Sequence, residues 1–448
     1  TLNTLLSEMD GFDGSNGVVV IAATNRLEDL DSALTRPGRF DSHFAVSLPA
    51  TAKERKLIIN LYAANKKFAE DVDMEAFAKE TIGNSPASIK TTLNEAAIIA
   101  ARRNNGIINR EILDEAWMKQ LMEGHLKKNA DKDNIELVAW HEAGHALAGL
   151  LMGQDLTKAS IIPSTSGAGG ATFITPKKLG LFTVDDLREQ VIMLYAGRNA
   201  ERLFAAENNM TENGVTTGAS NDIEKATGII KKMITEYGMS KKFGLLNLEE
   251  LDVKPDVITE EAVKLAEELN EESFNMMKDN ADKLKKIAEK LVEKDAIRDQ
   301  YYVYARALDR IDNPLGKTVF AEDAQVDYGP TYKGTGYGFI DMMLKMHRKM
   351  VSTHHVMTNI LIKLNEDGTK AAAEAYMYAA CKYRNGMVVV ARCRDIDLWE
   401  KRDGKWLVVK RTVAGDNTMI LHPDFAPDYN NGRDKVKDPS YDYFETIE

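Results

Sequence analysis

Cysteine is almost missing from this chain: Cys381 and Cys393 are the only two in 448 residues. Two thiols make neither a disulfide framework nor a Cys-rich zinc finger, so a reducing compartment is expected and zinc, if bound, must be held by His and carboxylate. Histidine is itself scarce, at eight residues. No run of ~18 apolar residues occurs, so the sequence as given is expected neither to span a membrane nor to carry a signal peptide. Positive charge is not in excess either: 58 Lys and Arg stand against 69 Asp and Glu, a net charge of -11, which argues against nucleic acid as a partner.

What is present is a globular composition, 44% hydrophobic and 28% charged. The length suits roughly two to four domains, each with its own core. The first residue is Thr, and "TLNTLLSEMDGFDG" reads as the inside of a domain, so a fragment or processed form is expected. "GVVVIAATNR" reads as a buried strand whose end presents Thr24, Asn25 and Arg26, where open α/β sheets place ligands. "RPGRFD" and a short strand "HFAVSLP" follow. Residues 52 to 125 carry helical periodicity, with Leu93, Ala97 and Ala100 on one side of "IKTTLNEAAIIAARR".

From about 135 to 297 the pattern is mainly helical, interrupted by one β-like stretch, "ASIIPSTSGAGGATFITP". Ala262, Leu265 and Leu269, then Leu284, Ile287 and Leu291, mark an amphipathic helix or helical pair. From Arg298 the order changes to helices followed by long strands, which predicts a separate α+β domain.

"LVAWHEAGHALAGL" places His141 and His145 four apart in an apolar run. On a helix they share one face, where two imidazole nitrogens reach a single Zn²⁺ at about 2.0–2.1 Å. Glu142 is offset around the helix, placed to act as general base on a water that the metal polarises. A core helix with incidental histidines is the alternative, but chance gives His-Glu-x-x-His on the order of 0.01 times per chain at this histidine content. Unpaired His, Glu and His would also be costly to bury. For the third ligand, Asp222 in "TTGASNDIEKAT" is a candidate; its alternative role is that of an acid at a helix N-terminus.

"TLNTLLSEMDGF", "VIAATNR", "LDSALTRPGRFD", "HEAGHA" and "TGASNDIEKAT", in that order, resemble the FtsH family of ATP-dependent AAA+ zinc proteases over about residues 1 to 297. The resemblance implies a multidomain chain: the C-terminal part of a partial α/β AAA+ core at 1–50, a helical lid or small domain at 51–125, and a mainly α zinc peptidase domain at 126–297. It makes Asp222 the third zinc ligand and places Glu201, in "AGRNAERLF", beside the metal site. Asn25 would sense the γ-phosphate of ATP, and Arg36 and Arg39 would be arginine fingers reaching a neighbouring subunit. The Gly-containing segment at "SIIPSTSGAGGATF" would be an edge strand that binds substrate. Ser164 stands where the family usually has Arg, and Pro86 where it usually has Gly.

The implied cofactors are Zn²⁺ and ATP with Mg²⁺. The nucleotide site is incomplete, because no G-x-x-x-x-G-K-[ST] loop occurs and no ATP hydrolysis is expected. The implied partners are unfolded or membrane polypeptides and a homohexamer. Intact family members are membrane-anchored, with these domains on the cytoplasmic side.

"YVYARALDRIDNPLGKTVFAEDAQVDYG", "STHHVMTNILI" and "WEKRDGKWLVVKRTV" resemble the SnoaL-like, NTF2-like superfamily over about 298–448. That implies a C-terminal α+β cone around a pocket in which Tyr304, Asp309 and His354 match catalytic positions. Pocket lining and polar helix ends are the alternative for those three residues. A non-proteolytic small-molecule-binding, lyase or isomerase protein is therefore the opposing functional class.

Overall fold

The computed structural model describes residues 30–37, 39–103, 106–121, 134–163, 169–175, 180–210, 214–251 and 253–421, with scattered positions before residue 30. Residues 41–50, including the "HFAVSLP" stretch, form no strand; they run with most side chains exposed and without a neighbouring strand among the described residues. A β-rich sequence needs a ladder partner before it becomes a strand, and none is placed beside it.

A small helical unit follows. Thr51 caps the helix Ala52–Ala63 in a capping box with Glu54, and Asp73 caps Met74–Glu80. Leu93, Ala96 and Ala100 of the helix Pro86–Arg103 are buried with Ile59, Phe77 and Trp117. Buried Arg55 is satisfied by donating to the carbonyls of Ala78 and Pro49. Two short strands, β1 (Lys67–Phe68) and β2 (Ile107–Ile108), pair in parallel beside this core.

The next region is built on two crossing helices, Ile135–Leu151 and Val184–Glu207. They come close because both carry small residues where they meet. A Cβ on Gly144 would lie 2.5 Å from the carbonyl oxygen of Ala196. Strands β3 (Asp155–Ser160) and β4 (Ala171–Thr175) form an antiparallel pair against the first helix. The helix Ser220–Thr235 and two long helices, Pro255–Asp279 and Ala281–Arg310, complete the region. Thus the amphipathic stretch expected after Thr259 is a helical pair, broken at Asn280.

The Ala281–Arg310 helix does not stop where the composition changes. Its first half buries Leu284 and Ala288 with the helical region, and its second half buries Ile297, Tyr301 and Tyr304 in the next core. Glu293 bridges outward, accepting from Lys401 and from the indole N–H of Trp406. The sheet beyond has six strands, β5 (Phe320–Tyr328), β6 (Tyr332–Thr335), β7 (Met350–Leu364), β8 (Lys370–Tyr383), β9 (Val388–Arg402) and β10 (Lys405–Leu421). Their spatial order is β6-β5-β10-β9-β8-β7, antiparallel except for the β5–β10 pair. Alternation along β8 buries Ala371, Ala373, Ala375, Met377, Ala379 and Cys381 on the face that carries the helices. Among the described residues no helix is long and apolar enough to cross a membrane.

Candidate metal centre and the C-terminal polar cluster

His141, Glu142 and His145 sit mid-helix, in a segment apolar on almost every side, with His141 and Glu142 buried and His145 half-buried. His141 Nδ1 donates to Glu201 Oε1 at 2.8 Å, and His145 Nδ1 donates to the carbonyl of Met193 at 2.9 Å. With both Nδ1 protons committed, both Nε2 atoms present lone pairs, and these face each other at 3.1 Å. Asp222 Oδ2, in the first turn of the Ser220–Thr235 helix, lies 3.4 Å from each Nε2. Three acceptors crowded this closely demand a cation. Donors at about 2.0–2.1 Å from a tetrahedral zinc lie about 3.3 Å apart, so the set fits that ion without rearrangement.

The surrounding electrostatics agree. Burial opposes charge on His141, yet Asp222 and Glu201 raise it to about 9, so without a metal a proton on His141 takes the cation's place among these acceptors and must leave when zinc binds. Asp222 moves the other way: burial would raise it, but the two imidazoles hold it far below the usual carboxylate range. Glu201 behaves likewise, with burial overcome by His141 and the Thr216 amide. That glutamate is fixed twice more, accepting from Thr216 N at 2.8 Å and from Thr216 Oγ1 at 3.1 Å.

Glu142 is different. Burial pushes its carboxyl up, partly countered by His145 and His141. Thr172 Oγ1 on β4 donates to its Oε2 at 2.7 Å, which orients the group. Gly197 closes the site from the facing helix: a Cβ there would lie 2.5 Å from His145 Nε2 and 2.7 Å from His141 Nε2. Thr172, Thr216, Met193 and Gly197 were not singled out by sequence reasoning. No spacing rule marks a residue that works through a carbonyl, a hydroxyl or the lack of a side chain.

The nucleotide-end residues are placed less completely. Asn25 lies outside the described residues. Arg36 is exposed, whereas Arg39 Nη1 donates to the Ala33 carbonyl at 2.6 Å within the same loop. Ser164 also lies outside the described residues.

In the C-terminal domain the expected trio is not assembled as read. His354 points outward and is exposed; His355, its neighbour, is the buried one. Alternation along β7 decides this, because adjacent residues on a strand face opposite sides and only one of two consecutive histidines can face the core. Asp309 therefore pairs with His355, accepting from its Nδ1 at 2.6 Å and from its backbone N–H at 3.0 Å. Tyr304 is fully buried and faces Arg411, whose guanidinium lies 4.4 Å from the ring centroid. Arg411 is itself fully buried. It donates from Nε and Nη2 to the two oxygens of Asp397 and lies 3.0 Å from Asp395, while Tyr301 donates to Asp397 at 2.8 Å.

Residues 128–303 match the model of peptidase family M41, which encloses the His141, His145 and Asp222 cluster. That region matches the M41 peptidases. Residues 1–48 match the model of the ATPase family associated with various cellular activities, and residues 289–412 match the SnoaL-like domain. The chain is therefore multidomain, a helical M41 region followed by a β-rich SnoaL-like domain, and the two matches overlap on the shared helix.

Among curated proteins, the chain is 44% identical over 254 residues to the ATP-dependent zinc metalloprotease FtsH of Streptococcus pneumoniae, covering 56% of this chain and 37% of that protein. It is 36% identical over 338 residues to the FtsH of Lancefieldella parvula, covering 71% and 51%. The chain thus spans about half the length, or less, of the curated relatives it matches. Among solved structures, a putative scytalone dehydratase from Novosphingobium aromaticivorans is 24% identical, covers 31% of this chain and 93% of its own, and has a TM-score of 0.28. A hexachlorocyclohexane dehydrochlorinase, LinA Type2, is 19% identical, covers 31% and 96%, and has a TM-score of 0.29.

Proposed function

We propose that the M41 region hydrolyses peptide bonds as a zinc-dependent endopeptidase, with unfolded or membrane polypeptides as the substrates of the intact protein. The observation that carries this reading is the triangle of His141 Nε2, His145 Nε2 and Asp222 Oδ2, with edges of 3.1–3.4 Å and Glu142 on the adjoining face. His141, His145 and Asp222 would hold the zinc. A bound zinc supplies Lewis acidity to the scissile carbonyl and lowers the pKa of water towards ~7.

The chain's own residues do the rest. Glu142 accepts the proton of the attacking water and returns it to the leaving amine, a role suited to a carboxyl whose affinity for protons burial has increased. Thr172 holds one Glu142 oxygen and leaves the other free for that proton. Glu201 and the Met193 carbonyl keep the two imidazoles in the tautomer that presents Nε2. A substrate chain would add to the edge of β4 not taken by β3, its backbone running past Glu142.

At the nucleotide end we assign the trans-acting role in a homohexamer to Arg36 and Arg39, the latter also meeting the Ala33 carbonyl of its own loop. Asn25 remains the proposed sensor of the γ-phosphate of ATP bound with Mg²⁺, a site that these residues do not complete by themselves. The domain limits 1–50, 51–125, 126–297 and 298–448 belong to the same proposal.

The test is Glu142→Gln. The variant should retain about one zinc at the His141 site and lose hydrolysis of an unfolded casein-type substrate, whereas His145→Ala should lose the metal as well. Full hydrolysis by the Glu142→Gln protein would exclude the mechanism.

A further inference from the structure

The SnoaL-like domain holds a second convergence of metal-binding side chains, far in sequence from the first. His347 is the last residue of the helix Gly336–His347, His355 lies on β7 and Cys381 on β8. All three are buried, exposed by only 2%, 6% and 7%. One ligand atom from each falls within 4.8 Å of the other two. We propose that His347, His355 and Cys381 bind a transition-metal ion of zinc's class inside the C-terminal domain.

The strand register builds the pair from β7 and β8. Thr353 stands opposite Cys381, and His355 opposite Ala379, so His355 and Cys381 are diagonal neighbours on the inner face. Ala379 has only a methyl group, which leaves the space between them open to the His347 ring. That ring lies 5.0 Å from the His355 ring, tilted by 37°.

Asp309 then decides which nitrogen of His355 is available. It accepts from Nδ1 at 2.6 Å and is locked by the His355 backbone N–H, so Nε2 is left facing inward as a ligand. A carboxylate behind a ligating imidazole is the usual outer support of a zinc histidine. Charge closes as well: a dication with one thiolate and two neutral imidazoles carries one positive charge, which the Asp309 carboxylate offsets. Drawing the donors onto one ion at about 2.0–2.3 Å requires separations of about 3.3–3.8 Å, a side-chain adjustment and not a backbone one. The thiol of Cys381 gives up its proton to the solvent as the metal enters. Because the ligands are buried, the ion would brace β7, β8 and the helix end.

Cobalt separates this site from the M41 site, which has no sulfur ligand. Reduced full-length protein, stripped of metal and titrated with Co²⁺, should take up two ions per chain and develop the thiolate-to-cobalt charge-transfer absorption in the near ultraviolet. The band should persist in His145→Ala, which removes only the M41 metal, and in Cys393→Ser, which changes the other buried cysteine. It should vanish in Cys381→Ser, a near-isosteric change whose folding circular dichroism would check, and weaken at least tenfold in cobalt affinity in His347→Gln. Absence of the band from the folded, reduced wild-type chain would overturn the proposal, as would its survival in Cys381→Ser. Neither outcome bears on the peptidase reading.

Discussion

Glu201 shows how much of the metal centre depends on residues that do not touch the metal. It accepts from His141 and is held by Thr216, so Glu201→Gln should lower zinc affinity about 10–100-fold while the fold survives, as measured by competition with a chromogenic chelator. His141 also sets a pH dependence for the metal-free chain. Its folded value is raised from 6.5 to about 9, so the protonated form contributes stability that is complete below about pH 6.5 and lost as pH rises through about 9. Thermal unfolding of metal-free protein should therefore show Tm falling across that window, and added zinc should raise Tm more at pH 9 than at pH 6.5. An unchanged Tm in the metal-free protein would mean that His141 is not held by the two carboxylates. At this scale the pair His141 and His145 was legible because i and i+4 spacing is local. His355 was not separable from His354, because strand phase depends on which face meets the core.

The crossing of the Ile135–Leu151 and Val184–Glu207 helices is set by glycine at the contact. Gly197→Ala should displace both imidazoles, lowering zinc content and Tm together, since its new Cβ would fall within 3 Å of ring atoms. Gly228→Ala provides the contrast: it lies on an exposed helix face with nothing within 4 Å, and should stabilise the chain by about 0.4–1 kcal/mol in urea unfolding. The helix Ala281–Arg310 carries a second prediction. A fragment beginning at residue 298 removes Glu293 and the fully buried Ile297, and should be less stable than one beginning at 281 by about 2 kcal/mol or more, as read from urea midpoints. Helical periodicity marked the stretch from Thr259 onward as one amphipathic helix or a pair, and the structure divides it at Asn280. Their shared use by two cores was hidden, since a continuous helix has no composition signal for a change of partner.

Across the whole molecule the net charge of -11 leaves little to attract a polyanion. The chain should fail to shift duplex DNA in gel electrophoresis at ~0.15 M salt, and retention there would point to a local basic surface that the total conceals. The molecule also joins two kinds of architecture with different legibility. The helices were located by their own periodicity, although they pack at long range, Ile135–Leu151 lying against both Val184–Glu207 and Ala281–Arg310. The C-terminal sheet pairs β5 with β10, at Phe320 and Val408, across almost ninety residues, whereas Arg411 meets Asp397 within the β9–β10 hairpin, where the two stand opposite each other.

What the sequence by itself determined is whatever local geometry can encode: a helix with two imidazoles on one face, a glutamate beside them, an acid at the start of a later helix, and long alternating strands after residue 350. Hydrogen-bonded turns and strand alternation are short-range, so residue spacing carries them directly. Tertiary structure alone decided that Asp222 meets both imidazoles, that Thr172 holds Glu142, and that His347, His355 and Cys381 converge. Each of these contacts joins elements separated along the chain, where distance is set by helix crossing and sheet register, quantities that no single segment contains.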